Sequence, residues 1–445
     1  MRLFHALLAL LLVAGTTHAR TFYVAENGLD SNTGISLDAP LLTIARAINM
    51  VGPGDVIELR AGTYKGVRIS KPGAPDAWIT LRAYGGEKAR IVADRPRRPT
   101  LYFYHSSCDE DTPNNYPCQP LYWIVEGLEI EGSGAGGGDD YAVKIDTPHV
   151  RLRGNNLHGS SADVVKLVHT ADDVEIIENE IHHPRARPGA NAQGIDIVGA
   201  DRTQVLRNHV HDIPSIGMYA KGNARNTVFE ANLVENTFSH GIMLGQSTDA
   251  HRLRDGKYES YDGIIRNNVV RNAGWSCFAT ASSFRARIYN NSCYQTRSNL
   301  HGAILISNES EVRQAGTHIE IMNNIIHGAA ELPLIKVTSG ALTDPATLVI
   351  DHNLYWTARG ASAATFTWRD RRLEQVPFSQ WQRATGLDAH SRVADPLFAT
   401  LATLRPAAAS PAAGRGTPTP HVTSDFAGAM RPPRGGDIGA HEFSY

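Results

Sequence analysis

Eight ten-residue stretches of the chain carry one text: VRLRGNNLHG (150–159), VEIIENEIHH (174–183), TQVLRNHVHD (203–212), TVFEANLVEN (227–236), GIIRNNVVRN (263–272), ARIYNNSCYQ (286–295), IEIMNNIIHG (319–328) and LVIDHNLYWT (348–357). The sixth position is asparagine every time: Asn155, Asn179, Asn208, Asn232, Asn268, Asn291, Asn324 and Asn353. The intervals are 24, 29, 24, 36, 23, 33 and 29 residues, so a unit of about 23 residues recurs with insertions. Apolar and polar residues alternate before each Asn with period two, which makes the unit one of strands rather than helices. Short strands at this interval predict a parallel β-helix, an all-β solenoid forming a single domain. Stacked coils then place the Asn side chains one above another, each amide bonding its neighbours and the buried turn backbone. A general preference of Asn for turns does not explain an apolar register kept through eight copies.

The flanks complete the organisation. Residues 1–19 carry Arg2, the apolar run LFHALLALLLVAG and a small-x-small site at Thr17-His18-Ala19, the pattern of a signal peptide. The run is too short to span a bilayer comfortably, and no later stretch is long and apolar enough to do so. Export, into a bacterial periplasm or beyond, is expected. The β-helix domain is expected over 20–400, with an N-terminal cap about 20–65 in which Leu41–Val51 has helical spacing and ends at Gly52-Pro53-Gly54. A helix there closes an end that would otherwise expose apolar surface and strand edges. An Ala/Pro-rich tail and cap fills 401–445. The formal net charge of −2 argues against nucleic acid as the main partner. Of the four cysteines, Cys108 and Cys118 bracket a polar loop and are expected to form a disulfide, and Cys277 and Cys293 offer a second pair.

Aligning the coils on Asn also aligns a second strand about eleven residues later: AVKID (142–146), VVKLV (164–168), GIDIV (194–198), GMYAK (217–221) and GIMLG (241–245). Alternation points Lys144, Lys166, Asp196 and Tyr219 outward in one column, with Lys221 in the next. Coils lie about 4.8 Å apart, so neighbours in the column touch. Two insertions flank it. PRARPGANA brings Arg185 and Arg187; QSTDAHRLRDGKYESY brings His251, Arg252, Arg254 and Tyr258. Both are basic in a chain that is not, and loops on a rigid scaffold concentrate binding residues. Arginine forks suit carboxylates and tyrosine rings stack on sugars, so the expected substrate is an acidic polysaccharide held by Lys144, these arginines, His251 and Tyr258. Stacking Lys144 on Lys166 is expected to lower a lysine pKa, as a general base requires. Asp163 and Asp196 offer oxygen ligands for calcium. His158, His182, His211 and His327 recur just after the ladder Asn and suggest a stacked role rather than metal ligation.

The opening YVAENGLDSNTG…GDVIELRAGTY, the NN-type turns and the closing ADPLF…SPAAGRG…DIGAHEF resemble the secreted right-handed β-helix proteins of the pectate-lyase-like superfamily, and most of all the family-nine polysaccharide lyases and related alginate lyases. The resemblance covers nearly the whole chain after residue 19. It implies a right-handed coil, a lysine base and calcium held by aspartates, although the family's paired-aspartate-with-tryptophan motif is missing here. The expected function is a secreted lyase cleaving a uronate polymer such as pectate or alginate by β-elimination, acting as a monomer. Lys166 or Lys221 would be the base, and Tyr219 or water the proton donor. A uronate C5-epimerase, which begins with the same proton abstraction, and a non-catalytic carbohydrate-binding or cell-surface β-helix are the alternatives.

Overall fold

The computed structural model describes residues 19–108, 118–249, 252–295, 301–312 and 314–443. The signal segment through residue 18, the interior of the 109–117 loop and His251 therefore lie outside the described residues. Three twelve-stranded sheets run the length of the molecule. One coil shows the plan. Glu175–Ile177 lies in the first sheet, Asn179 turns the chain, Glu180–His182 lies in the second, and Ile195–Val198 lies in the third. The next coil then begins at Gln204–Leu206, parallel to Glu175–Ile177. Every rung between successive coils is parallel, and Val, Ile and Leu fill the single continuous core. The fold is the expected right-handed parallel β-helix.

The Asn turn is a buried hydrogen-bond ladder. Asn179 Nδ2 donates to Leu152 O (3.0 Å) and to Asn208 Oδ1 (3.0 Å), while the Asn179 backbone N–H donates to the same Oδ1 (2.9 Å). This set repeats from Asn155 to Asn353, where Ser391 Oγ ends it. The residue before each Asn is left-handed, from Gly154 (φ 60°) through Glu178, Arg207 and Ala231 to His352 (φ 57°). Such backbone is disfavoured for a residue like Ala231, and the ladder holds it there.

The ends are closed as the apolar surface demands. The helix Ile44–Met50, N-capped by Thr43, buries Ile44, Ala47 and Ile48 against the first coils. At the far end the antiparallel strand Leu373–Pro377 and the helix Phe378–Thr385 bring Trp381 into the core. The tail returns along the outside of the coils. Asn323 Nδ2 donates to Thr417 O (2.7 Å), and Arg431 reaches Asn267 Oδ1 (3.0 Å). Both disulfides are formed. Cys277 and Cys293 do not close one coil but join successive ones, since Cys293 stands beside Val270 of the coil that contains Cys277.

Candidate active site

The third sheet carries the expected column. Its registers pair Lys144 with Lys166, Lys166 with Asp196, Asp196 with Tyr219, and Tyr219 with Met243. Lys221 stands opposite Val198, two residues further along the strand. The column is nonetheless far less open than a flat sheet face. Asp196 and Tyr219 are each 1 % exposed, and beyond them Met243, Ala279 and Leu305 form a buried apolar patch with Ile216 and Ala281. The insertion after Leu244 folds back over this part of the sheet. Lys221 Nζ donates to Ser247 O (2.9 Å), and Ser247 in turn meets Glu311 beyond the strand Ile304–Ser307.

Asp196 is the hub of the buried polar cluster. It contacts the Lys166 ammonium and accepts hydrogen bonds from the Tyr219 hydroxyl and Asp163. Lys166 also lies 3.8 Å from Asp163 Oδ2, and Asp163 Oδ1 accepts the Gln193 backbone N–H at 2.9 Å. Burial penalises both carboxylates, but only one must give way. Asp163 is pushed well above the usual carboxylate range by burial and by the Asp196 charge. Against its own burial, Asp196 is held low by Lys166 and Lys221 and stays ionised. Tyr219 is raised by burial and by Asp196. Its hydroxyl is committed to holding that carboxylate.

The lysine pKa expectation is corrected here. Burial lowers Lys166, but the charges of Asp196 and Asp163 outweigh it, and the group sits above its ordinary value. Lys144 does not press on Lys166, because its ammonium turns to Asp146 (3.8 Å) and lies over the Tyr102 ring (5.3 Å to the centroid).

The remaining expected residues divide. Arg252 is exposed and close enough for its charge to act on Lys166. Arg185 is ion-paired with Glu131, and Arg187 is exposed to solvent. From that insertion it is Gly189, Ala190 and Asn191, not the arginines, that line the cavity beside the column. Arg254 is a clamp: it binds Asp201 (2.6 Å), Gly199 O (2.6 Å) and Asn223 O (3.1 Å), fastening the insertion to the coil. Tyr258 packs its ring against Tyr261 and Phe284. Asp140, adjacent to the acidic position Asp139, is consumed by Ser133 and Ser161.

The cavity measures about 320 Å³ and is completed by Gln193, Ser215, Phe238, Gln246 and Trp275. An aromatic wall with amides and hydroxyls opposite suits a sugar ring. Trp275 and Glu309 escaped the sequence reading. Burial first, then the neighbouring Glu259 and Glu311, raises Glu309 to about 7. Its only signal in the sequence was its place just past a third-sheet strand.

A calcium ion does not fit the Asp163–Asp196 pair. The Lys166 ammonium already sits between the two carboxylates, and a calcium site requires about six to eight oxygens. Other groups of donors among the described residues lie elsewhere, on the second sheet and around Asp351.

A family model described as right handed beta helix region matches residues 141–325. The chain is 37% identical over 159 residues to "Pectate lyase PEL9" of Emericella nidulans, an alignment covering 34% of this chain and 38% of that protein. It is 43% identical over 126 residues to "Pectate lyase L" of Dickeya dadantii, covering 28% and 29%. The matched region thus spans less than half the length of either lyase. The solved structure of pectate lyase Pel9A superposes with a TM-score of 0.60 at 17% identity, covering 97% of this chain and 98% of that one. The chain is a right-handed parallel β-helix protein whose fold matches that of pectate lyase Pel9A over nearly its whole length.

Proposed function

We propose that the protein is a polysaccharide lyase that cleaves a uronate-containing polymer by β-elimination. The observation that carries this reading is the charge at the column. Lys166 and Lys221 act on the ionised carboxylate of Asp196, and Arg252 is close enough for its charge to act on Lys166, beside a cavity with an aromatic wall. An excess of fixed cations in a partly desolvated cleft attracts and neutralises a substrate carboxylate, which makes the proton at C5 acidic. The likeness to two pectate lyases supports the same substrate class.

In this reading Lys166, held cationic by its carboxylates, and Arg252 bind the uronate carboxylate. Lys221 is the base. The C5 proton passes to its amine, the C5–H electrons form the C4=C5 double bond, the C4–O bond breaks, and water protonates the departing oxygen. Tyr219 acts as a positioning residue through Asp196. Because calcium does not fit this donor set, the cations of the chain supply the neutralising charge. The protein acts as an exported monomer in this account; among the described residues no helix is long and apolar enough to cross a membrane.

A second reading rests on a specific observation. The Lys166 ammonium contacts Asp196 and lies 3.8 Å from Asp163, an ion-pair network that a carbohydrate-binding scaffold would hold with no chemistry at all. The test is ultraviolet absorbance of the unsaturated uronate on pectate, alginate and glycosaminoglycan panels, with calcium and with chelator. A rising trace that survives chelator and vanishes in Lys221→Ala supports the lyase. A flat trace with saturable polymer binding sinks it in favour of the scaffold, and a flat trace with C5-inverted product identifies an epimerase.

A further inference from the structure

The outer face of the second sheet holds a histidine column that the lyase reading does not use. His158 pairs in register with His182, and His182 with His211. Their rings stack at 5.1 Å and 4.9 Å, inclined by 17° and 9°. At the bend after each strand the backbone turns left-handed, at His183 (φ 44°), Asp212 (φ 53°), Asn236 and Asn272. Asparagine, aspartate and histidine are the non-glycine residues most enriched in this conformation. His183 thereby projects beside the column, edge-on to both His182 and His211.

Hydrogen bonds fix which nitrogens carry protons. Asn156 Nδ2 donates to Glu180 Oε2 (3.4 Å), so Asn156 Oδ1 is the atom that faces His182 Nε2 at 2.8 Å. His182 must donate there. A neutral His182 with its proton on Nε2 offers only a lone pair at Nδ1. That Nδ1 lies 2.8 Å from His183 Nδ1, which must then be the donor. A neutral His183 is left with its lone pair on Nε2, and this atom lies 3.7 Å from Asp212 Oδ2. His211 Nδ1 reaches the same oxygen at 2.7 Å, while its Nε2 lies 3.3 Å from Glu180 Oε1. Two imidazole nitrogens and a carboxylate oxygen therefore converge within 4.8 Å of one another. Either a proton on His211 or a bound cation must balance them. Tetrahedral zinc bonds of about 2.0–2.1 Å place ligand atoms about 3.3 Å apart, within the range these atoms span.

His183 and Asp212 also line a cleft of about 680 Å³ between the 184–188 loop and Phe238, which leaves a fourth position open. We propose that His183, His211 and Asp212 form a binding site for a divalent transition-metal ion of the zinc class, with its fourth position facing this cleft. Two imidazoles with one carboxylate suit zinc and disfavour calcium. His182 is the outer partner that fixes the His183 tautomer. The alternative donor set Glu180–His182–His211 shares His211, so one ion occupies one set or the other.

The experiment is calorimetric titration of Zn²⁺ into the full chain, made without a polyhistidine tag and first stripped with chelator, at pH 7.5. One saturable site is expected, and Co²⁺ in its place should give the visible absorption of a tetrahedral nitrogen–oxygen set. His183→Asn and Asp212→Asn, both suited to left-handed backbone, should weaken binding at least about tenfold, and His182→Ala about tenfold. Circular dichroism and melting of the metal-free variants must match the parent. Absence of saturable binding in the parent overturns the proposal. So does parental affinity in His183→Asn and Asp212→Asn, because the ion would then sit on Glu180–His182–His211. None of these readouts depends on polysaccharide cleavage.

Discussion

Lys166 and Asp196 occupy matched positions on adjacent third-sheet strands, and the ammonium of the first rests on the carboxylate of the second. Asp196 is buried and Lys166 nearly so, which makes each the condition for the other's charge. Removing one partner of such a pair typically costs about 3–5 kcal/mol, whereas replacing both by apolar groups is often neutral. Lys166→Ala should therefore lower unfolding stability by about 3 kcal/mol, and Lys166→Met with Asp196→Leu should recover most of it. Urea denaturation of the three proteins decides. If the double replacement is as unstable as the single, the pair is not what holds this part of the sheet.

Activity should divide differently along the same column. Lys221 donates to a backbone carbonyl and lies over the Tyr219 ring, its charge acts on Asp196, Glu259 and Glu309, and in the proposed reaction it takes the C5 proton. Lys221→Ala should lower kcat about a thousandfold with the fold intact. Arg252→Ala should instead raise KM with a smaller change in kcat, as expected for a group that binds the carboxylate. Equal effects of the two substitutions on kcat would contradict this division of labour.

The ladder gives a prediction free of any functional reading. Asn232 is fully buried; its Oδ1 accepts from Asn208 N and Nδ2, and its Nδ2 donates to Val205 O and Asn268 Oδ1. Asn232→Ala leaves these groups without partners and leaves Ala231 left-handed without the bonds that hold it. At about 1–3 kcal/mol for each buried orphan, partly relieved by relaxation, the loss should reach about 3–5 kcal/mol. Asn156→Ala, one residue outside the ladder on the outer face, should cost under about 1 kcal/mol. Equal losses in the two variants would mean that the ladder is ornament.

These features were not equally legible in the sequence. The ladder and the column registers followed from periodicity, because in a solenoid one residue's place in the repeat determines its neighbours above and below. The openness of the column did not follow. Nothing local to Tyr219 announces that the insertion after Leu244, from the next coil, folds back beside it. For the same reason Arg254, read as a substrate ligand, proved to be a clamp on Asp201: exposure and charge are visible in a sequence, but the partner across 53 residues is not. The lysine pKa was misjudged because the stacked Lys144 was counted and its turn toward Asp146 was invisible. His183 escaped notice because the repeat marked His182 and gave no sign that the next residue would turn back beside it.

Glu309 links the site to pH. Burial, Glu259 and Glu311 raise its carboxyl from an ordinary 4.5 to about 7. A raised folded-state pKa means that its stabilising contribution is complete below about 4.5 and is lost as pH climbs toward 7. The full shift would correspond to about 3 kcal/mol, but the side chain is only partly buried and solvent screening reduces this to about 1–2 kcal/mol. Glu309→Gln should be more stable than the parent at pH 8 by that amount and nearly equal at pH 4. A difference that stays constant between the two pH values would show that Glu309 does not titrate in this window.

His240 should move stability the other way. Its ring is buried, stacks on His301 at 5.8 Å, meets the edge of Trp275 at 5.2 Å, and among the described residues has no hydrogen-bond partner for Nδ1. Burial, with a smaller contribution from His301, lowers its pKa from 6.5 to about 3. A neutral buried imidazole stabilises fully above 6.5, and the contribution is lost as pH falls from 6.5 toward 3. Each pH unit in that window removes up to about 1.4 kcal/mol, so this one group accounts for about 2 kcal/mol between pH 6.5 and pH 5. His182 titrates in the same window, which is why the informative quantity is the difference between parent and His240→Leu. The parent should lose about 2 kcal/mol more than the variant when urea unfolding is compared at pH 7 and pH 5. Parallel losses would mean that the pocket around Trp275 admits a proton at no cost, as a hydrated cleft rather than a packed wall would.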